Sequence, residues 1–156
     1  MDAYAIVKSV HIISAAILFG TGVGIAFFFY SAHRSNELAA RYFAARTTVL
    51  ADFVFTLPAA IVQPVTGFWL ISLSGLPWSQ PWLVATYVLY MVAGLCWLPV
   101  VWIQIRLKRM LQHAVAAREA LPLTYDRLFR LWSLLGWPAF VGLAIVFFLM
   151  VLKPTW

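Results

Sequence analysis

The chain has 156 residues, of which 64% are hydrophobic and 10% are charged, and it carries a net charge of +6 at pH 7. About a quarter of the residues in a soluble domain are charged, so this composition excludes an ordinary soluble protein and indicates one surrounded by lipid. The single cysteine, Cys96, excludes a disulfide within the chain.

Four apolar stretches are each long enough to cross a membrane, which takes about 20 helical residues. In chain order they cover residues 4–30, 49–73, 82–105 and 134–152. The first lacks a short apolar core followed by a small-residue cleavage site, so we interpret it as a retained span rather than a signal peptide. The pattern predicts an all-α fold, a four-helix transmembrane bundle made of two antiparallel hairpins, and a single membrane domain over residues 1–156.

Basic residues are concentrated in two of the three connections between the spans, whereas the second connection, residues 74–81, contains no Lys or Arg. Because basic connections stay in the cytoplasm, this asymmetry predicts a multi-pass protein of the inner (cytoplasmic) membrane with both termini outside. We expect the basic side chains to contact anionic lipid head groups, and we do not expect nucleic-acid binding. Nine of the eleven basic residues belong to this group: Arg34, Arg41, Arg46, Arg106, Lys108, Arg109, Arg118, Arg127 and Arg130.

Polar and ionisable side chains inside a span are costly, so each is a candidate functional residue. The helical rise of about 1.5 Å per residue places His11, Gln63, Tyr90 and Met91 at similar depths in the outer half of the membrane. Lys8 lies three residues before His11 and therefore on the same helix face. We hypothesise that these five residues form a cofactor-binding site.

His11 is the leading candidate within this group. A neutral imidazole in a helical bundle is a natural axial ligand for haem iron, and the alternative is a histidine hydrogen-bonded across helices. His33 lies about 33 Å further along the same helix, and His113 lies beyond the cytoplasmic end of the third span. Neither can therefore be a second ligand of the same haem. A second ligand would be Met91, a tyrosine, Lys8, water or His11 of another subunit. Lys8 is also expected to meet a haem propionate.

A second polar cluster, formed by Asp52, Thr56, Gln104 and Arg106, is expected in the inner half of the membrane. Two roles for Asp52 are open: an ion pair with a flanking arginine that holds two helices in register, and a proton relay. Gly20 and Gly24 have the spacing that lets two membrane helices approach closely. They predict helix packing and a homo-oligomer formed through the first span.

Motifs distributed along the chain carry a family resemblance: Lys8-Ser9-Val10-His11-Ile12-Ile13, Leu18-Phe19-Gly20-Thr21-Gly22, Gln63-Pro64-Val65-Thr66-Gly67, Cys96-Trp97-Leu98-Pro99 and Gly136-Trp137-Pro138. In these motifs the chain resembles a bacterial family of small four-span integral membrane proteins with no assigned function. The resemblance implies a four-helix membrane protein and runs nearly from end to end.

The first span also carries a shorter resemblance, through Lys8, His11, Phe28, Tyr30 and His33. This pattern resembles the membrane-bound haem-b protoporphyrinogen oxidases, and the start of the span is similar to CopD-type copper-resistance proteins. The resemblance implies that His11 is a haem ligand. The later Lys and Tyr-His pattern of those oxidases is missing here, so haem or quinone contact is implied rather than their oxidase activity.

Three functions are consistent with these residues. The first is a haem-b-binding redox protein of the inner membrane, active in electron transfer or in porphyrin or quinone oxidoreduction with a membrane redox partner. The second is a non-enzymatic scaffold or accessory subunit whose polar residues join helices. The third is a small carrier of a metal ion or metabolite. A hydrolase or nucleotide-dependent enzyme is not expected, because the sequence contains no catalytic triad and no phosphate-binding glycine loop.

Overall fold

The computed structural model describes residues 2–154, and this part of the chain is helical without any strand. Four helices follow one another, α1 (Ala3–Arg34), α2 (Leu38–Ser74), α3 (Pro81–Ala117) and α4 (Leu123–Leu152). Each is long and apolar enough to cross a membrane. This arrangement confirms the predicted all-α fold with four spans, and each helix extends beyond the corresponding predicted span.

The first connection is short and is held by local hydrogen bonds. The Ser35 hydroxyl accepts from the Glu37 N–H at 3.1 Å, and Arg41 Nε donates to the Ser35 carbonyl at 2.8 Å. At the start of α1, the Asp2 carboxylate accepts from the Tyr4 N–H at 3.2 Å, which caps the helix. These contacts fix where α1 begins and where the chain turns into α2.

The other two connections use residues that stop or start a helix. Gly75 ends α2 with φ 64°, a left-handed conformation that costs glycine little because it has no Cβ. Pro81 is the first residue of α3, a position at which a backbone N–H makes no hydrogen bond within the helix, so the absence of this group in proline costs nothing. Arg118 ends α3 with φ 56°, and Pro122 precedes α4. Short connections of this kind join antiparallel neighbours.

One turn of α2 departs from the α-helical pattern. Residues Asp52–Thr56 form a π turn, in which the Leu57 N–H donates to the Asp52 carbonyl five residues earlier. The two polar residues of this turn, Asp52 and Thr56, are buried, whereas the apolar side chains between them face outward and are half exposed. The turn therefore directs both polar side chains into the bundle. The irregular turn was not predicted, although Asp52 and Thr56 were expected in one inner polar cluster.

The helices pack in chain order. Helix α1 packs along α2, the part of α2 before the π turn packs against α3, and α3 packs along α4. Helix α4 also meets α1, where the rings of Phe19 and Phe140 stack with centroids 4.7 Å apart. The bundle is thereby closed, and its polar side chains are shared between neighbouring helices.

The buried core is largest at the end of the bundle that carries the two basic connections, which we call the basic end. There His33 stacks on Phe129 with the ring planes 9° apart. A smaller core lies at the opposite end. The core at the basic end joins all four helices through Phe29, Ala44, Ala45, Val100, Ile103, Leu107, Leu111, Tyr125, Phe129 and Trp132.

Many large apolar side chains lie on the outer surface of the bundle, among them Phe27, Phe43, Leu134 and Phe148. An apolar surface of this extent suits lipid rather than water. The chain is therefore a multi-pass integral membrane protein in contact with the bilayer. Which membrane it occupies, and which side each terminus faces, stay predictions from the charge asymmetry.

Candidate functional site

Four polar side chains meet between α1 and α2 in the half of the bundle away from the basic end. They are His11 and Ser14 on α1 and Gln63 and Thr66 on α2, and we call them the His11 cluster. His11 Nδ1 lies 2.7 Å from Thr66 Oγ1. The structure thus brings together two of the predicted site residues, His11 and Gln63, and adds two others to them.

The hydroxyl of Thr66 determines the tautomer of His11. Thr66 Oγ1 lies 2.7 Å from the Val62 carbonyl oxygen, which only accepts, so the single hydroxyl proton is donated there. The hydroxyl oxygen then accepts the hydrogen bond from His11, which places the imidazole proton on Nδ1. In the neutral ring, His11 Nε2 is left with its lone pair available.

Gln63 fixes the main chain of α1 at the same level. Its Nε2 donates to the His11 carbonyl at 2.7 Å and also to the Ser14 hydroxyl. Ser14 in turn donates to the His11 carbonyl at 3.1 Å. Because these contacts join α1 to α2, the His11 cluster holds both the backbone and the ring of His11 in one position.

The imidazole of His11 lies beside Gly67. A Cβ atom built on Gly67 would be 3.4 Å from His11 Cε1, at the limit of ordinary contact. The ring therefore packs directly on the backbone of α2. Thr66 and Gly67 both belong to the motif that begins at Gln63, and this spacing of three and four residues is the signal that places them on one helix face with Gln63.

Tyr90 has a different role from the one predicted. Its hydroxyl donates to the Ala60 carbonyl at 2.6 Å. That carbonyl lies four residues before Pro64, which has no N–H to offer it, so Tyr90 supplies the hydrogen bond that the proline removes. The structure does not bring Tyr90 into the His11 cluster.

Met91 and Lys8 also lie outside the cluster. The Met91 side chain is 64% exposed on the outer surface of α3. Lys8 is exposed as well, with its Nζ 5.8 Å from the centroid of the Tyr4 ring. The structure therefore offers no second iron ligand from Met91, because depth alone does not determine which face of a helix points inward.

The inner cluster contains Asp52 and Gln104, each only 2% exposed, together with Thr56. The side chains of Thr56, Gln104 and Trp97 approach the Asp52 carboxyl group. Arg106 is instead exposed, and its guanidinium lies over the Trp102 ring, 4.8 Å from the centroid. The cluster thus forms without the arginine that the sequence analysis included.

Gly20 and Gly24 do not mediate packing within the chain. A Cβ atom at either position would meet nothing within 4 Å in the described part of the bundle. Association of two copies through this face stays a prediction.

Residues 5–154 match the family described as a predicted integral membrane protein, DUF2269. No curated protein and no solved structure matches the chain. The likeness of the first span to haem-b oxidases and CopD-type proteins therefore stays a prediction. Since the match covers nearly the whole sequence, the chain belongs to the DUF2269 family of predicted integral membrane proteins.

Proposed function

We propose that this protein is a membrane redox protein that binds haem b, whose iron His11 Nε2 would hold. The observation that carries the proposal is the hydrogen bond from His11 Nδ1 to Thr66 Oγ1. Histidines that ligate a metal almost always donate their other ring N–H to a fixed acceptor, which sets the tautomer and increases the basicity of the ligating nitrogen. When bound, haem would supply one-electron transfer.

One residue of the chain, His11, would hold the haem. His11 is partly buried between apolar helices, which suits a neutral imidazole ligand and an apolar macrocycle. Gln63 holds the main chain of His11 by a hydrogen bond to its carbonyl, and the ring lies beside the backbone of α2 at Gly67. Since Met91 faces outward and the Tyr90 hydroxyl donates to α2, neither would hold the haem, and we propose that water or His11 of another copy would do so together with this His11.

A non-enzymatic scaffold or accessory subunit is the second candidate, and one observation favours it. The polar groups of the His11 cluster are bonded to one another or to helix carbonyls, as expected for a cluster that only joins α1 to α2. In this case His11 Nε2 would bind no metal.

Visible spectra distinguish the two candidates. The protein would be purified in mild detergent from haem-supplied cells and examined before and after reduction with dithionite. We expect a Soret band and, on reduction, sharp α and β bands that disappear in His11→Ala. His113→Ala is the matched control, because His113 is an exposed histidine near the basic end and should leave the spectrum unchanged.

Thr66→Val tests the observation that carries the proposal. The variant removes only the acceptor of the Nδ1 proton, and loss of such a partner typically weakens metal affinity about 10- to 100-fold. A haem protein should therefore lose haem during purification in this variant. A flat spectrum from the folded, haem-supplied protein without any substitution would overturn the haem proposal in favour of the scaffold.

A further inference from the structure

A groove of about 270 Å³ lies between α2 and α3 and opens on the outer surface of the bundle. Phe53 and Leu57 line it on α2, and Leu98, Val101 and Trp102 line it on α3. Phe53, Leu98 and Trp102 are each at least half exposed. Because the outer surface of a membrane bundle faces lipid, the groove opens sideways toward the hydrocarbon of the bilayer.

The walls of this groove are almost wholly apolar. Asp52 also borders the groove, but this residue is only 2% exposed. Its carboxyl group is instead approached by the side chains of Thr56, Gln104 and Trp97. Such walls suit a hydrocarbon chain, since a polar molecule would lose its hydration there without gaining hydrogen bonds.

The length and position of the groove match one leaflet of the bilayer. Its α3 wall runs from Trp97 to Ile105, a distance of about 12 Å at the helical rise of about 1.5 Å per residue. The hydrocarbon core is about 30 Å thick, so the acyl chains of one leaflet span about 15 Å. Ile105 is also the last residue of the predicted third span, so this end of the groove lies where hydrocarbon meets head groups.

Three cations lie beyond that end of the groove. The guanidinium of Arg106 lies over the ring of the wall residue Trp102, 4.8 Å from its centroid. Lys108 comes three residues after Ile105 and therefore about one turn further along the same face of α3. On α2, Arg46 is exposed about two turns before the groove. Both walls thus contribute positive charge at the level of the head groups.

We infer that the groove and these three cations form a binding site for one anionic phospholipid, such as phosphatidylglycerol. One acyl chain lies in the groove, and the phosphate contacts Arg106, Lys108 and Arg46. Basic pockets between membrane helices bind anionic head groups, and the charge of this pocket is complementary to a phosphate. A lipid held here occupies one defined site, unlike the general contact of basic residues with head groups that the sequence predicts.

A second copy of the chain is a less suitable occupant of the groove. Copies inserted in the same orientation place their basic ends at the same level, so like charges would meet beside Arg106. A zwitterionic phospholipid would fill the apolar walls equally well, but it gains less from the three cations because its head group has no net charge.

This lipid site does not depend on haem. Gln63 and Thr66 lie eleven and fourteen residues after Asp52, which corresponds to about 16–21 Å along α2. His11→Ala should accordingly leave lipid binding in the groove unchanged, whether or not the protein carries haem.

Native mass spectrometry of the purified full-length protein tests the inference, because it identifies a bound lipid by its mass. Delipidated protein in mild detergent would receive equal concentrations of phosphatidylglycerol and phosphatidylcholine with the same acyl chains. The attraction of a single Lys or Arg near a head group corresponds to a preference of about 5-fold, so we expect at least this preference for phosphatidylglycerol as the first bound lipid. Equal binding of the two lipids would overturn the inference, and so would a dimer that no longer takes up the lipid.

Arg106→Gln tests the contact with the head group. Glutamine keeps a long polar side chain but removes the charge, so the affinity for phosphatidylglycerol should fall about 5-fold while the affinity for phosphatidylcholine stays the same. Arg130→Gln is the matched control, because Arg130 is an exposed arginine of α4 that does not line the groove. An equal loss in both variants would assign the preference to the general charge of the basic end and overturn the site.

Val101→Phe tests the contact with the acyl chain. The added ring occupies part of the groove and should weaken the binding of the first lipid about 10-fold. Val88→Phe is the matched control, because it makes the same change at an exposed position of α3 outside the groove. Unchanged binding in Val101→Phe, with folding verified by circular dichroism, would place the lipid elsewhere and overturn the inference. If this variant does not fold, the comparison of Arg106→Gln with Arg130→Gln still decides the question.

Discussion

The hydrogen bond between His11 and Thr66 permits a sharp test of the His11 cluster. Thr66→Val keeps the shape of the side chain but removes the oxygen that accepts from His11 Nδ1 at 2.7 Å. Thr66 is buried, so water does not replace the lost acceptor. Coupling energies between polar side chains on membrane helices average about 0.6 kcal/mol and reach about 1.7 kcal/mol. Because the Thr66 hydroxyl donates its proton to a carbonyl and its oxygen lies close to His11 Nδ1, we expect a coupling energy between the two side chains of about 1 kcal/mol.

A double-mutant cycle measures this quantity directly. The free energies of unfolding of the parent chain, His11→Ala, Thr66→Val and the double variant would be obtained from unfolding by dodecyl sulfate in mixed micelles, followed by circular dichroism. Thr66→Ser is the control, because it retains the hydroxyl and should retain the coupling with His11. Strictly additive effects of the His11 and Thr66 changes would refute the assigned hydrogen bond and the tautomer that depends on it.

Three further predictions concern other parts of the chain. Tyr90→Phe should lower the free energy of unfolding by about 1 kcal/mol because it leaves one carbonyl of α2 without a donor. Tyr87→Phe should be neutral or stabilising, since within residues 2–154 the buried Tyr87 hydroxyl has no partner. Unfolding in mixed micelles compares the two variants. Gly20→Ile should leave the stability of the monomer unchanged and weaken any self-association, which light scattering in detergent would detect. In a chain whose native cysteine is replaced, a membrane-impermeant thiol reagent applied to intact cells should label Ser79→Cys and not Asn36→Cys; the opposite labelling would invert the predicted topology.

The number and length of the spans were predictable because the apolar stretches are long and are separated by proline, glycine and basic residues. Depth was also predictable, since the helical rise placed His11 and Gln63 at one level. The direction in which each side chain points was not predictable. A soluble helix has one apolar face that identifies the core, but the lipid-facing side of a membrane helix is as apolar as its interior side. Met91 was for this reason assigned to the site although it faces outward.

The inner cluster illustrates a second limit of the sequence. Depth along the helices placed Asp52, Thr56, Gln104 and Arg106 in one cluster, and the structure brings the first three together but not Arg106. A long arginine side chain also reaches an aromatic ring at the surface, and here its guanidinium lies over Trp102. The π turn that contains Asp52 and Thr56 was not predicted, because it has no recognisable pattern in the sequence.

The π turn also determines how the two halves of α2 are oriented relative to each other. A π turn contains one residue more than the α turn that it replaces, so the helix beyond it is rotated by about 100°. With this rotation, Asp52 faces α3 at the basic end while Gln63 and Thr66 face α1 further along the same helix. Deleting one apolar residue from the turn would scarcely change the hydropathy of the span, yet it would rotate Gln63 and Thr66 away from His11. Deleting one residue at this point is thus expected to change the orientation of the inner cluster relative to the His11 cluster, whereas a substitution affects only one of the two clusters.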